Sequence, residues 1–540
     1  MKKKSYYNNK IIYGVFIFYF LLGLSTYKDY GINIEEHLHR YFGFFWLDYI
    51  LSFTNFDILH DNVKNILNSS FDPYLPNIKT YGVVFDVPLA LIETVLNISS
   101  TKLYFETRHL LTFILFFLSA ICFYKIIEHR FKKLNITIFS TLAYIITPRI
   151  YGDSFHNNKD ILFLSLLTIT IYFLFKFFKD SNYKYLSLFS FFLALSTSVR
   201  IMAIFIPVFF IITHFLAEKN KNIFMLKTII FFLLYIFFLV IFWPYLWSGP
   251  IENLIFFLKN LRGIDPIPIL YDGKYYYTTQ MPDLYLLKWI AISTPVVFLL
   301  LFVFGAGASF KRLWLRVLKL KEKTFYRDLW RGVNEQKDFF CLISFVSILF
   351  FVSTFSLAFI SGWRHFYFLH FFSSYFIAYS IYLLSFLYKK KIRMINFIGF
   401  LTIIFIINDL IKFHPYESLY FNIIGRNSSS EYQVDMASLS RSEALKLILQ
   451  DAKKDAKEKV YVATASFTPL YNGLDMLTEK NKKYFSFVGN EYDKADYIYT
   501  NKIYEVDVNY NKKYIIPDNF FLFNQLTIDK VKIYEIYKKK

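Results

Sequence analysis

The side chains equipped for chemistry fall in short polar stretches between long apolar runs. The first stretch carries Asp29, Glu35, Glu36, His37, His39 and Arg40. The second reads Pro148-Arg149-Ile-Tyr151-Gly152-Asp153-Ser-Phe-His156-Asn157-Asn158-Lys159-Asp160. Arg200 stands alone between two apolar runs, Asp265, Asp272, Gln280 and Asp283 fall in 247–285, and Gly362-Trp363-Arg364-His365 forms the last stretch. A carboxylate can take a proton from an attacking hydroxyl, and fixed cations stabilise charge gathering on a phosphate leaving group. Asp29, Glu35 and Glu36 are therefore candidate carboxylates for that proton. Lys159, Arg200, Arg364 and His365 are the candidate phosphate holders. Asp153, His156 and Asp160 support them, Asp160 by positioning Lys159. Singly, each has a plainer explanation: an acidic pair suits a helix start, Lys159 and Asp160 suit a solvated ion pair, and cations at span ends snorkel. Their convergence on one membrane face argues for a site.

The elements that must position these residues are membrane helices. In 540 residues, 55% are hydrophobic and only 19% charged, where soluble domains carry about 25% charged residues. Mean hydropathy is +0.36, and runs long enough to cross a bilayer recur down the chain. The net charge of +20 comes from basic residues placed mainly in short segments between those runs. Topology explains that placement, so nucleic acid is not the expected partner. Cys122 and Cys341 both lie in apolar runs and offer neither a disulfide framework nor a thiolate metal site.

The expected spans number about eleven, at 11–26, 108–127, 135–150, 161–178, 184–199, 201–216, 228–246, 286–305, 339–359, 366–387 and 394–411. Arg200 falls at a turn between two short spans, because one long helix would carry it near the bilayer midplane. With an odd count, the basic loops share one side, the N-terminus is cytoplasmic as a retained anchor, and the C-terminus is outside. The stretch 84–98 holds Asp86, Pro88 and Glu93 and reads as an interfacial amphipathic helix. After 412 the chain becomes polar, with strands expected at Val460–Ala465, Tyr484–Val488, Ala495–Thr500 and Val531–Tyr537 and a helix at Ser440–Lys457. The expected architecture is an α-helical polytopic membrane domain over 1–411, with a first outer loop at 27–107, and a small extracytoplasmic α/β domain over 412–540.

This order of features resembles the GT-C glycosyltransferases, most closely the protein O-mannosyltransferase-like branch (family 39) that includes the bacterial aminoarabinose transferases. Members carry Asp-Glu in the first outer loop, one carboxylate acting as base, and Glu35-Glu36 occupies that place before His37 and Tyr41-Phe42-Gly43, which implies Glu35 as the general base with Glu36 or Asp29 orienting the base or the acceptor. Ser154-Phe-His-Asn-Asn-Lys159-Asp160 resembles the Ser-Phe-x-Asn-Pro-Lys-Asp of bacterial members. Tyr81-Gly-Val-Val-Phe-Asp86, Arg364-His365 and His414-Pro-Tyr-Glu-Ser-Leu-Tyr-Phe-Asn422 also look like that subgroup, and the resemblance covers about 10–445. Glu35 replaces the usual Asp, and Asn158 replaces a Pro expected to hold Lys159 in place. The resemblance implies an inner-membrane enzyme that transfers a sugar, with inversion, from a polyprenyl-phosphate donor to a hydroxyl on a lipid, glycan or protein outside the cytoplasm. It implies no cofactor and no obligatory metal, although a carboxylate-rich site can accept a divalent ion. No P-loop and no GxGxxG after a strand is present, which fits a lipid-linked donor. A transporter or flippase of a lipid-linked sugar is the alternative; it would call for charged sites near the midplane or duplicated halves.

Overall fold

The computed structural model describes all residues except 1, 72–79, 81, 219, 260–266, 319–331, 355–361, 456–457 and 506–511. Tyr81 and Asp265 lie outside the described residues. Among the described residues, seven helices are long and apolar enough to cross a membrane: Thr101–Phe131, Asp160–Asp180, Lys221–Phe242, Val296–Val317, Val333–Thr354, Leu369–Leu387 and Lys389–Phe413. Shorter apolar helices occupy Lys10–Thr26, Leu134–Ile146 and Ile201–Ala217, and Tyr183–Val199 pairs with Asp160–Asp180 through the Thr170–Ser196 hydroxyl contact at 3.2 Å. Each expected run is thus mainly helical over its described residues (the end of 339–359 lies outside them), but not every run is one long helix. Leu134–Ile146 is 13 residues, about 20 Å, which is short of a bilayer core. Pro148 then starts a second short helix, Pro148–His156, where its missing amide costs nothing. Pro295 divides the run at 286–305 in the same way, between Tyr285–Ser293 and Val296–Val317. Arg200 is extended (φ −142°, ψ 119°) and separates Tyr183–Val199 from the 3-10 turn Ile201–Ile204, as its expected place at a turn requires.

Asp160–Asp180 is the central helix. Its apolar window is 83% buried, against 11% for Lys389–Phe413 at the periphery. The central helix is therefore clad by protein and its N-terminal end can carry charged groups that lipid would not tolerate.

The first loop folds into Glu36–Leu51, Asp57–Ser70 and Asp86–Val95. The last of these is the helix expected in 84–98, ten residues long. It approaches Glu36–Leu51 so closely at Gly43 that a Cβ there would collide with the Asp86 carbonyl. Two buried ion pairs fasten this loop: Arg40 to Glu93 at 2.5 Å, and Arg108 to Asp86 at 3.3 Å.

The C-terminal sheet has five strands in the order Phe485–Phe487, Val460–Thr464, Tyr497–Thr500, Val531–Lys539, Phe520–Ile528. The first three are parallel and the last two form an antiparallel hairpin. Helix Arg441–Lys454 packs Leu445 and Ile448 against Val460, Val462 and Tyr497. Strand Phe520–Ile528 is absent from the sequence expectation because it lies at the sheet edge and lacks a clean two-residue alternation. The domain sits on the first loop: Ile34 N donates to Ala437 O at 3.0 Å, and Arg441 Nη2 donates to Ile32 O at 3.0 Å. Loop and domain thus share one end of the bundle, as an odd number of crossings would require.

Candidate active site

Asn157 organises the entry to the central helix. Its Oδ1 accepts from the amides of Asp160 at 2.9 Å and Lys159 at 3.3 Å, a side-chain cap that supplies partners for unpaired N–H groups. Its Nδ2 donates to Asp160 Oδ2 and Asp153 Oδ1, each at 3.2 Å. Asp160 is thereby fixed at the helix N-terminus, where the helix dipole favours a carboxylate, and it is only 1% exposed.

Two arginines from distant parts of the chain meet Asp160. The central helix and its antiparallel neighbour return the chain to the same level, where Arg200 Nη2 donates to Asp160 Oδ1 at 2.5 Å. Arg364 stands on the 3-10 turn Arg364–Phe366, just after Gly362 turns the chain at φ +70°. Its Nε lies 3.9 Å from Asp160 Oδ2, and its Nη2 donates to Glu35 Oε1 in a close ion pair. Glu35, Arg364, Asp160 and Arg200 form one continuous chain of charge. Burial pushes the Glu35 carboxyl up, but Arg364 and then His39 outweigh it and hold the pKa at about 2. Beside them, burial and the Arg200 charge press His365 down to about 4, which leaves a neutral ring at pH 7.

The structure assigns the two adjacent glutamates different work. Asn33 Oδ1 accepts from Glu35 N at 3.1 Å while Glu36 Oε2 accepts from Asn33 N at 2.8 Å, a reciprocal capping box. Glu36 also meets His109 Nε2 at 3.2 Å and is 1% exposed. Glu36 holds the loop; Glu35, a third exposed, faces Arg364. Asp29 belongs to a separate group. It pairs with His414 Nε2 at 3.0 Å, whose Nδ1 meets Glu417 Oε1 at 2.8 Å, and Tyr30 OH donates to that same oxygen at 3.2 Å. Burial lowers the His414 pKa, but the hydrogen bonds to Glu417 and Asp29 win and raise it to about 9.

Lys159 is buried, and its Nζ donates to Gly82 O at 3.2 Å. Burial brings its pKa down to about 8, with Asp86 opposing the shift and Arg200 adding to it. Asp160, expected to position Lys159, ties Arg200 to Arg364. Asn158, standing where the family pattern has Pro, accepts from His39 Nδ1 at 2.7 Å through Oδ1 and donates through Nδ2 to Asp86 Oδ1 at 3.2 Å. It therefore cross-links the second loop to the first instead of loosening Lys159. Asp153 accepts from Tyr367 OH at 2.8 Å, and burial raises its pKa to about 6. His156 is fully buried beside Tyr30, with ring centroids 6.0 Å apart, and burial lowers its pKa to about 3. Neither of its ring nitrogens has a hydrogen-bond partner among the described residues.

Arg149 was given no role by sequence reasoning. It is buried, with Nε donating to Tyr420 O at 2.9 Å and its guanidinium 5.0 Å from the Trp289 ring. A cleft of about 420 Å³ opens beside it, walled by Asp153, Arg364 and Tyr367 and closed by Gln433 and Met436 before the C-terminal helix. Among the described residues, Arg149 Nη2, Arg200 Nε and Arg364 Nε have no hydrogen-bond partner. Guanidinium donors left open at one end of the bundle suit an incoming anion. Only the pairing of Pro148 with Arg149 hinted at this residue, and a cation at a helix start does not reveal whether it turns inward.

Residues 90–247 match the family described as dolichyl-phosphate-mannose-protein mannosyltransferase. This is the family the motifs resemble, GT-C glycosyltransferase family 39. The mannosyltransferase-like segment holds Asp153, Lys159, Asp160 and Arg200, while Glu35, Arg364 and His365 reach it only through the fold. The match supports a membrane glycosyltransferase of GT-C type. A crystal structure of ArnT from Cupriavidus metallidurans bound to undecaprenyl phosphate aligns with 80% of this chain and 87% of its own, at 9% identity and a TM-score of 0.37. Comparison with curated proteins gives no match.

Proposed function

We propose that the protein transfers a sugar from a polyprenyl-phosphate donor to a hydroxyl of a lipid, glycan or protein, at the membrane face that carries the C-terminal domain. The observation behind this reading is the Glu35–Arg364–Asp160–Arg200 chain, which places a partly exposed carboxylate beside phosphate-binding groups at the end of a membrane helix. Arg200, Arg364 and Lys159 hold the donor phosphate, and neutral His365 adds a hydrogen-bond donor. Asp160 keeps the two guanidinium groups apart and correctly aimed. The acceptor oxygen attacks the anomeric carbon on the face opposite the phosphate, giving inversion. Glu35 takes the hydroxyl proton, the bond from the anomeric carbon to the phosphate oxygen breaks, and the charge left on the phosphate meets the arginines.

Glu35 held near 2 is a weak base. Donor phosphate competes for Arg364, and as that ion pair loosens the proton affinity of Glu35 rises. Phosphate binding thus readies the base, which ties proton removal to an occupied donor site. Basic loops at the opposite end support an extracytoplasmic site in the inner membrane. The test is incubation of purified protein with a panel of polyprenyl-phosphate sugars and hydroxyl acceptors, reading release of polyprenyl phosphate. Movement of the donor across a bilayer without release would support a flippase and sink the enzyme reading.

A further inference from the structure

We propose that the end of the bundle opposite the candidate active site binds the phosphate headgroup of an anionic phospholipid. The central helix, 21 residues and about 30 Å long, has Asp160 at one end and Lys179 near the other. There a pocket of about 560 Å³ is lined, among the described residues, by Arg130, Lys132, Lys179, Arg312 and Lys337 and by one carboxylate, Glu335. Two of these cations are already engaged. Buried Asp338 receives Arg130 at 2.9 and 2.7 Å, Arg312 at 2.9 Å and the Tyr375 hydroxyl at 2.6 Å. Among the described residues, Lys179 pairs only with the exposed Asp180 at 3.7 Å.

Lys337 decides the matter. It is 5% exposed and rests 5.5 Å from the Phe175 ring, and among the described residues it has neither a hydrogen bond nor an ion pair. Its ammonium lines the pocket beside Arg130, Lys132 and Lys179, and a cation so crowded by like charges gains from an incoming anion. Topology alone calls for basic residues in loops, not for a buried one. Helix Val333–Thr354 begins at the same pocket, so its first amides and dipole add to the attraction for an anion.

The surroundings favour a lipid over a soluble anion. The pocket lies at the ends of Thr101–Phe131, Asp160–Asp180 and Leu369–Leu387, the level of lipid headgroups. Tyr379 and Tyr382 line it, as aromatic residues do at a membrane interface. Lys337 also borders Ile126, Tyr172 and Phe175, apolar side chains set among the basic residues Lys125, Lys176 and Lys179.

The test uses full-length protein in detergent, titrated with phosphatidylglycerol or phosphatidylcholine and followed by native mass spectrometry and thermal unfolding. Phosphatidylglycerol should bind and raise the melting temperature, and phosphatidylcholine should not. Lys132 and Lys179 are exposed, so Lys132→Gln with Lys179→Gln should leave the lipid-free melting temperature unchanged and weaken phosphatidylglycerol binding about tenfold. Adding Lys337→Met should abolish it. Equal binding of the two lipids, or wild-type affinity in the double variant, would overturn the proposal. Inorganic phosphate binding as tightly as phosphatidylglycerol would overturn the lipid assignment in favour of a soluble anion.

Discussion

Arg364 donates to Glu35 across 329 positions of chain, and the same guanidinium lies 3.9 Å from Asp160. One cation therefore links the candidate base to the candidate phosphate site, so a change at either should be felt at the other.

Glu35→Gln keeps size and hydrogen bonding but cannot take a proton, and turnover should fall by about 10²–10⁴. Donor affinity should be kept or improved, because Arg364 is released from a charged partner. Glu35→Asp should retain part of the activity. Glu36→Gln should instead lower stability by about 1–3 kcal/mol, through the loss of a charged partner for buried His109 and Asn33. Polyprenyl-phosphate release and thermal unfolding measured on all three variants separate these effects; normal turnover in Glu35→Gln would remove Glu35 as the base.

Arg200→Ala and Arg364→Ala should each weaken donor binding at least tenfold, since a charge-assisted phosphate contact contributes about 1.5–3 kcal/mol. Arg200→Lys should recover charge but not the two-pronged fit, and so fall between the two. Titration with a polyprenyl phosphate reads this directly. Unchanged affinity would mark these residues as span-end anchors.

Lys159 titrates at about 8, below an ordinary lysine, because burial disfavours its charge. It is charged below that pH and neutral above it, so donor affinity should decline as pH rises through about 8. Lys159→Arg should bind donor without that decline, since arginine stays protonated. A flat profile for the wild type from pH 7 to 10 would show that Lys159 does not hold the phosphate.

Asn158→Pro restores the family pattern yet removes the contacts to His39 and Asp86. Two buried hydrogen bonds are lost, and stability should drop by about 1–3 kcal/mol. Chemical denaturation checks this, and a proline variant as stable as the wild type would show that the cross-link is unimportant.

Ser181 and Ser430 are exposed at opposite ends of the bundle. In intact cells, an impermeant thiol reagent should label Ser430→Cys and spare Ser181→Cys. The reverse pattern would invert the orientation.

Composition and hydropathy by themselves determined that this is a polytopic membrane protein, that helices break at Arg200, and that a small α/β domain follows residue 412. Burial of apolar surface is a local, additive property, so a window of sequence carries it. Hydropathy could not show that the runs at 135–150 and 286–305 are broken, because Pro148 and Pro295 leave average hydropathy high while ending a helix. The choice between Glu35 and Glu36 was also beyond it. The two neighbours have the same chemistry, and only packing puts His109 and Asn33 against one and Arg364 against the other. The same holds for Asp29, drawn to His414, and for Arg149, turned inward onto Trp289. Ion pairs depend on where remote segments meet, and that meeting is set by the whole fold.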